Sequence, residues 1–178
     1  MGVVEALPKV LKNPLDLEAR SVLSQISLLA LSGYMDAGRG GGFPIHWLEH
    51  SLSAHYDIPH GRGLAVLLPR VVEYTIPANP ERYARLAKMV FGPYVVGTGR
   101  SNLEAALIFY QELVKWMDSV QMATSLSDLG IDDSLFSKMA DDALHLYGKG
   151  RDYLENPRKI SRKEIVEIFS RALGPPGV

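Results

Sequence analysis

The sequence predicts an all-α protein, a bundle of six or seven helices, and three observations carry that expectation. Apolar residues recur at i, i+3, i+4 and i+7 through most of the chain. Two Ser-x-x-Glu capping boxes, Ser101-x-x-Glu104 and Ser161-x-x-Glu164, each stand directly before such a stripe. No stretch alternates apolar and polar residues between turn signals as a strand would, and no repeat or low-complexity segment is present.

Taken in order, residues 1–12 read as a short, mixed lead-in, and residues 13–178 as one helical domain. Asn13-Pro14 supplies a helix start, with asparagine as cap and proline at the first helical position. Leu15, Ala19, Val22, Leu23, Ile26, Leu29 and Ala30 follow at helical spacing. Leu28 and Leu31 load the opposite side, so this helix is expected to be buried on most of its circumference. It runs into Gly38-Arg39-Gly40-Gly41-Gly42. That run joins two helices and lacks GxxxxGK[ST], so it reads as a connector and not as a phosphate loop, which needs strand–loop–helix geometry.

A helix over about 43–57 comes next and is stopped by Pro59. Leu64, Leu67, Leu68, Val71 and Val72 then predict a helix that Pro69 should kink or break. Asn79-Pro80 opens a helix bearing Tyr83, Leu86, Ala87 and Val90, stopped by Gly92-Pro93. The first capping box opens a stripe from Leu103 to Met117, and residues 119–131 read as a loop. Asp132 or Asp133 starts a helix that ends at Gly148. The second capping box opens the last, which stops at Gly174-Pro175-Pro176.

Composition narrows the function. The chain has 178 residues, 47% hydrophobic and 22% charged, a length that suits one compact domain. A formal charge of −1 gives no footprint for nucleic acid or an anionic membrane. With no cysteine, disulfides, thiolate metal sites and a cysteine nucleophile are all excluded. No apolar run reaches the length of a membrane span, and the N-terminus reads as lacking a cationic leader, so the cytoplasm is the expected compartment.

Four of the five histidines, His46, His50, His55 and His60, fall between Phe43 and Pro69. His46 and His50 stand four apart and share a helix face, while His55 points roughly 180° from His46. His55 is therefore read as a surface or interface residue. A turn at Pro59 can fold His60 back toward the shared face. Neutral imidazole is a common ligand for zinc, iron and copper, so three histidines at this spacing favour a metal site. The string His46-Trp47-Leu48-Glu49-His50 also matches H-x-x-E-H, in which the glutamate would activate a zinc-held water for peptide cleavage. That alternative needs a later acid, such as Glu104 or Glu112, and a sheet edge for substrate. Asp141-x-x-x-His145 has ligand spacing too, but reads as surface decoration with His145 near a helix C-terminus.

The segment EHSLSAHYDIPHGRGLAVLLP, with His46, His50 and His60-Gly61 at their spacing, resembles the metal-binding segment of iron-containing (group III) alcohol dehydrogenases. It is most similar to the butanol-dehydrogenase-like branch. Upstream, NPLDLEARSVLSQISLLALSG resembles the helix with an Ala-Arg pair, here Ala19-Arg20. PERYARLAKMVFG and Leu129-Gly130-Ile131 fit as well.

The resemblance implies the helical, dehydroquinate-synthase-like C-terminal metal-binding domain, over residues 13–173. It implies Fe2+ or Zn2+ held by His46 and His60, with His50 beside nicotinamide and substrate as a proton-handling catalytic group. It gives Glu49 no chemical role. The implied reaction interconverts a primary alcohol and an aldehyde with NAD(P). Family members also carry an N-terminal dinucleotide domain and a D-x-x-x-H ligand pair, which these residues do not match. The expected site is thus partial, and the chain alone is expected to be inactive without that domain or a partner chain bearing it. Gly42 and Phe43 stand where the branch often has Asp-Trp. Homo-oligomerisation stays open, and a non-catalytic helical scaffold is the alternative reading.

Overall fold

The computed structural model describes residues 2–34, 37–38 and 42–177. Among them nine helices form: α1 (Gly2–Lys12), α2 (Leu17–Leu31), α3 (Pro44–Tyr56), α4 (His60–Thr75), α5 (Pro80–Val90), α6 (Pro93–Val96), α7 (Asn102–Ser119), α8 (Phe136–Tyr147) and α9 (Arg162–Ala172). A two-residue antiparallel pair, β1 (Tyr153–Leu154) and β2 (Ile160–Ser161), leads into α9. The all-α class holds, with α1 and the four-residue α6 added to the seven expected helices. The glycine connector at 39–41 lies outside the described residues.

α4 is the wall shared by two cores. Val66, Leu67 and Val71 join Leu48 and Leu52 of α3 and residues of α8 and α9, including the Phe136–Phe169 ring pair at 5.4 Å. Ala65, Val72 and Ile76 instead join a second cluster with Ala84 and Ala87 of α5 and Ala105 to Met117 of α7. Pro69 lacks the N–H that would bond the Ala65 carbonyl. Even so, the helix runs through it from His60 to Thr75 without the expected break, since Pro69 is buried and both faces are packed.

The helix starts show local chemistry. Ser101 caps α7, accepting from the Glu104 N–H at 3.3 Å and returning its own N–H to the Glu104 carboxylate at 2.8 Å. Ser161 and Glu164 form the same box on α9. α2, however, starts at Leu17 and not at Asn13-Pro14. The Asn13 side chain accepts from the Leu15 N–H at 3.2 Å in a turn of its own, and Asp16 is the cap, accepting from the Ala19 N–H at 2.9 Å. Asp132 acts like Asn13: it holds the Ser134 N–H at 3.0 Å, so α8 begins later, at Phe136.

The burial expected of α2 is absent. Ala19 is its only buried residue, while Leu28 and Leu31 are 71% and 86% exposed. The N-terminal lead-in is helical, and α1 and α2 pack chiefly against one another. The Trp116 indole N–H of α7 ties them to the body, donating to the Val4 carbonyl at 3.2 Å.

Candidate metal centre

α3 and α4 meet at a tight corner. Asp57 closes α3 in the left-handed region at φ 50°, Ile58 and Pro59 cross over, and His60 opens α4. The corner carries His60 back over the α3 face that holds His46 and His50. The ring centroids lie 5.2 Å (His46–His60), 5.5 Å (His50–His60) and 6.2 Å (His46–His50) apart. One ring nitrogen from each falls within 4.8 Å of the others. An ion at about 2.1 Å from each nitrogen spans at most roughly 4.2 Å between two ligands, so small ring movements close the trio on one ion. The donor set, all imidazole, suits iron or zinc and does not choose between them.

The electrostatics favour a neutral imidazole at His46. Burial pushes the His46 imidazole below its ordinary value; His60 and His50 push the same way, and the Glu49 carboxylate pulls it up. The Nδ1 of His50 lies 2.7 Å from the Tyr147 hydroxyl. Tyr147 itself stacks on Trp47 at 5.7 Å and 10°. The Trp47 ring occupies the space a side chain at Gly42 would need. An aspartate at 42 would evict that ring, which is the physical sense of this departure from the Asp-Trp pattern.

Glu49 is what sequence reasoning missed. It is fully buried, its Oε1 accepting from the Ser53 hydroxyl and its Oε2 meeting His60 Nδ1. With both oxygens engaged and no exposed surface, it has no access to a water. The peptidase alternative therefore loses its base. The substrate edge it needs is also missing among the described residues, whose one sheet has two-residue strands. The available signals were the i, i+4 pair Glu49–Ser53 and Gly63, one turn past His60, where a bulky carboxylate needs room.

The other candidates are engaged elsewhere. His55 turns away from the trio and pairs with Asp142 of α8 at 2.8 Å. Asp141 binds Arg162 at 2.6 and 3.0 Å, leaving His145 exposed and alone as a possible ligand. Glu104 is in its capping box and Glu112 pairs with Lys115 at 2.7 Å.

The family model described as Fe-containing alcohol dehydrogenase family, C-terminal, matches residues 2–173. The chain belongs to the iron-containing alcohol dehydrogenase family. It is 36% identical over 157 residues to 1,3-propanediol dehydrogenase of Citrobacter freundii, covering 88% of this chain and 38% of that protein. It is 34% identical to the probable NADH-dependent butanol dehydrogenase 1 of Bacillus subtilis, over 80% of this chain and 36% of the relative. Among solved structures, NADH-dependent butanol dehydrogenase A from Thermotoga maritima superposes with a TM-score of 0.85 at 32% identity, over 97% of this chain and 44% of that one. The chain of this iron-containing alcohol dehydrogenase family member thus spans about two-fifths the length of the relatives it matches.

Proposed function

We propose that this chain is the metal-binding helical part of an NAD(P)-linked alcohol dehydrogenase that interconverts a primary alcohol and its aldehyde. The convergence of three imidazole nitrogens within 4.8 Å, at the corner between α3 and α4, carries this reading. His46 and His60 would hold Fe2+ or Zn2+. When bound, the ion supplies Lewis-acid polarisation of the substrate oxygen. His50 is the proton-handling group. Its ring is exposed, and the Tyr147 hydroxyl 2.7 Å from Nδ1 gives a proton a route from the ring toward the surface.

NAD(P) falls to the dinucleotide domain that the family carries in the remaining length of its members. Leu28 and Leu31 of α2, 71% and 86% exposed, form an apolar face of the kind that marks an interaction surface. Two ligand imidazoles make a weaker, more exchangeable site than a full set of four.

The test is titration of the pure chain with Zn2+ and with Fe2+ under anaerobic conditions, alongside an assay for butanol oxidation. Weak binding lost in His46→Ala and His60→Ala, with no turnover, is expected. Binding indifferent to those substitutions would overturn the ligand assignment. Turnover of butanol with NAD(P) would overturn the incompleteness of the site.

A further inference from the structure

We propose that Glu49 is the positioning residue of this metal centre: its buried carboxylate holds the proton of His60 on Nδ1 and so turns the Nε2 lone pair toward the point shared with His46. The proposal rests on the metal reading above and adds a residue to which the family resemblance gives no role.

A carboxylate with no exposed surface is costly unless its oxygens are hydrogen-bonded. Glu49 meets that demand with two partners, the Ser53 hydroxyl one helical turn along α3 and His60 Nδ1 at the start of α4. An ionised carboxylate only accepts. A neutral imidazole facing it must therefore carry its proton on Nδ1, and Nε2 is left as the free lone pair. The contrast lies in His50, whose Nδ1 faces a tyrosine hydroxyl that can donate or accept and so leaves its tautomer open.

The backbone has been cleared for this contact. A Cβ on Gly63 would stand 2.7 Å from Glu49 Oε1 and 2.8 Å from its Cγ, so the glycine lets α4 close on the carboxylate. Ser53 has a second acceptor within reach, the Ile58 carbonyl at 3.3 Å, which ties the clamp to the corner between the helices. Partners of this kind fix ring orientation and raise ligand basicity, and losing one typically lowers metal affinity 10–100-fold.

The experiment uses the full chain. Imidazole 15N NMR of the metal-free protein in alkaline buffer reads the tautomer, and competition with a chromophoric chelator reads Zn2+ affinity. The wild type should show the His60 proton on Nδ1. Glu49→Met, which keeps the volume and leaves Ser53 its alternative acceptor, should lose that proton and bind Zn2+ about 10–100-fold more weakly. Glu49→Gln keeps an acceptor but not the charge, and should fall between them; it decides the matter if the methionine variant does not fold. A His60 proton on Nε2 in the wild type, or unchanged Zn2+ affinity in the folded variants, would overturn the proposal. A wild type with the Nδ1 proton that binds no Zn2+ at all would overturn the metal reading itself, a distinct result.

Discussion

Gly63→Ala sets two effects of similar size against each other, and the structure decides between them. In an ordinary helix interior alanine is better than glycine by about 1 kcal/mol. At Gly63 the new methyl would enter at 2.7 Å from Glu49 Oε1, 2.8 Å from Cγ and 3.2 Å from Cδ. The carboxylate is fully buried, so it cannot swing into solvent. Overpacking of this kind costs about 1–3 kcal/mol. Disturbing a charge-assisted hydrogen bond adds about 1.5–3 kcal/mol when the contact is lost outright. The expected net loss is about 2 kcal/mol, or a melting point lower by about 4–8 °C for a chain of this size. Gly61 is the internal control. It lies in the same helix, and a Cβ there meets nothing within 4 Å. Gly61→Ala should therefore leave stability unchanged or raise it by up to about 1 kcal/mol. Thermal and urea unfolding followed by circular dichroism measure both. If Gly63→Ala matches or exceeds the wild type, or the two variants move together, the close packing of Glu49 under α4 is wrong.

Other outcomes follow from the same contacts. Leu52→Ala, at a fully buried site on the helix that carries His46 and His50, should cost about 2–5 kcal/mol in urea unfolding; a loss under about 1 kcal/mol would show that α3 is not anchored there. Removing metal with a chelator should leave the helical circular dichroism unchanged, and Zn2+ at tenfold over its dissociation constant should add only about 1.4 kcal/mol; unfolding on chelation would contradict this. Hydrogen bonds hold several carboxylates below their ordinary range, among them Glu164 by Ser161, Asp142 by His55 and Asp128 by Ser125. Their folded-state values lie below the unfolded ones, so their stabilisation is complete above the ordinary carboxylate range and is lost as pH falls beneath about 4. Ser161→Ala should flatten part of that acid dependence in melts recorded across pH. Leu31→Lys, on a side chain 86% exposed, should change stability by no more than about 0.5 kcal/mol while reducing association in light scattering; a larger loss would mean that α2 is covered within this chain.

The helices that can be read from the sequence are those whose stripe, cap and stop agree. Ser101-x-x-Glu104 and Ser161-x-x-Glu164 mark α7 and α9 correctly because a capping box is a local hydrogen-bond exchange. Asn13 and Asp132 mislead by a few residues, because a side chain that can cap a helix can equally close a turn before it. The exposure of α2 is not legible at all. Periodicity reports that a face is apolar, not what covers it. Pro69 misleads in the opposite sense: buried packing on both sides of α4 outweighs one missing backbone bond. At the site, the shared face of His46 and His50 follows from spacing alone. The approach of His60 depends on Asp57 adopting a left-handed conformation, and Glu49 on how closely α4 descends, both of them set by tertiary packing.

That dependence says what holds the histidines where they are. Leu48 and Leu52 root α3, and Val66 and Leu67 root α4, in one buried cluster, while Val72 and Ile76 fix the other side of α4 against a second. Each fully buried leucine or isoleucine contributes about 1.5–3 kcal/mol, so the corner between α3 and α4 is held by several times what an exchangeable two-imidazole site could supply. The ring positions are therefore a property of the core, and Glu49 refines one of them from beneath. Rigid helices carrying part of a ligand set lower the ordering cost when the remaining ligands arrive. Adding ligands to this chain should accordingly raise metal affinity without rebuilding the corner, and the weak binding proposed for the chain alone would reflect the number of ligands and not their placement.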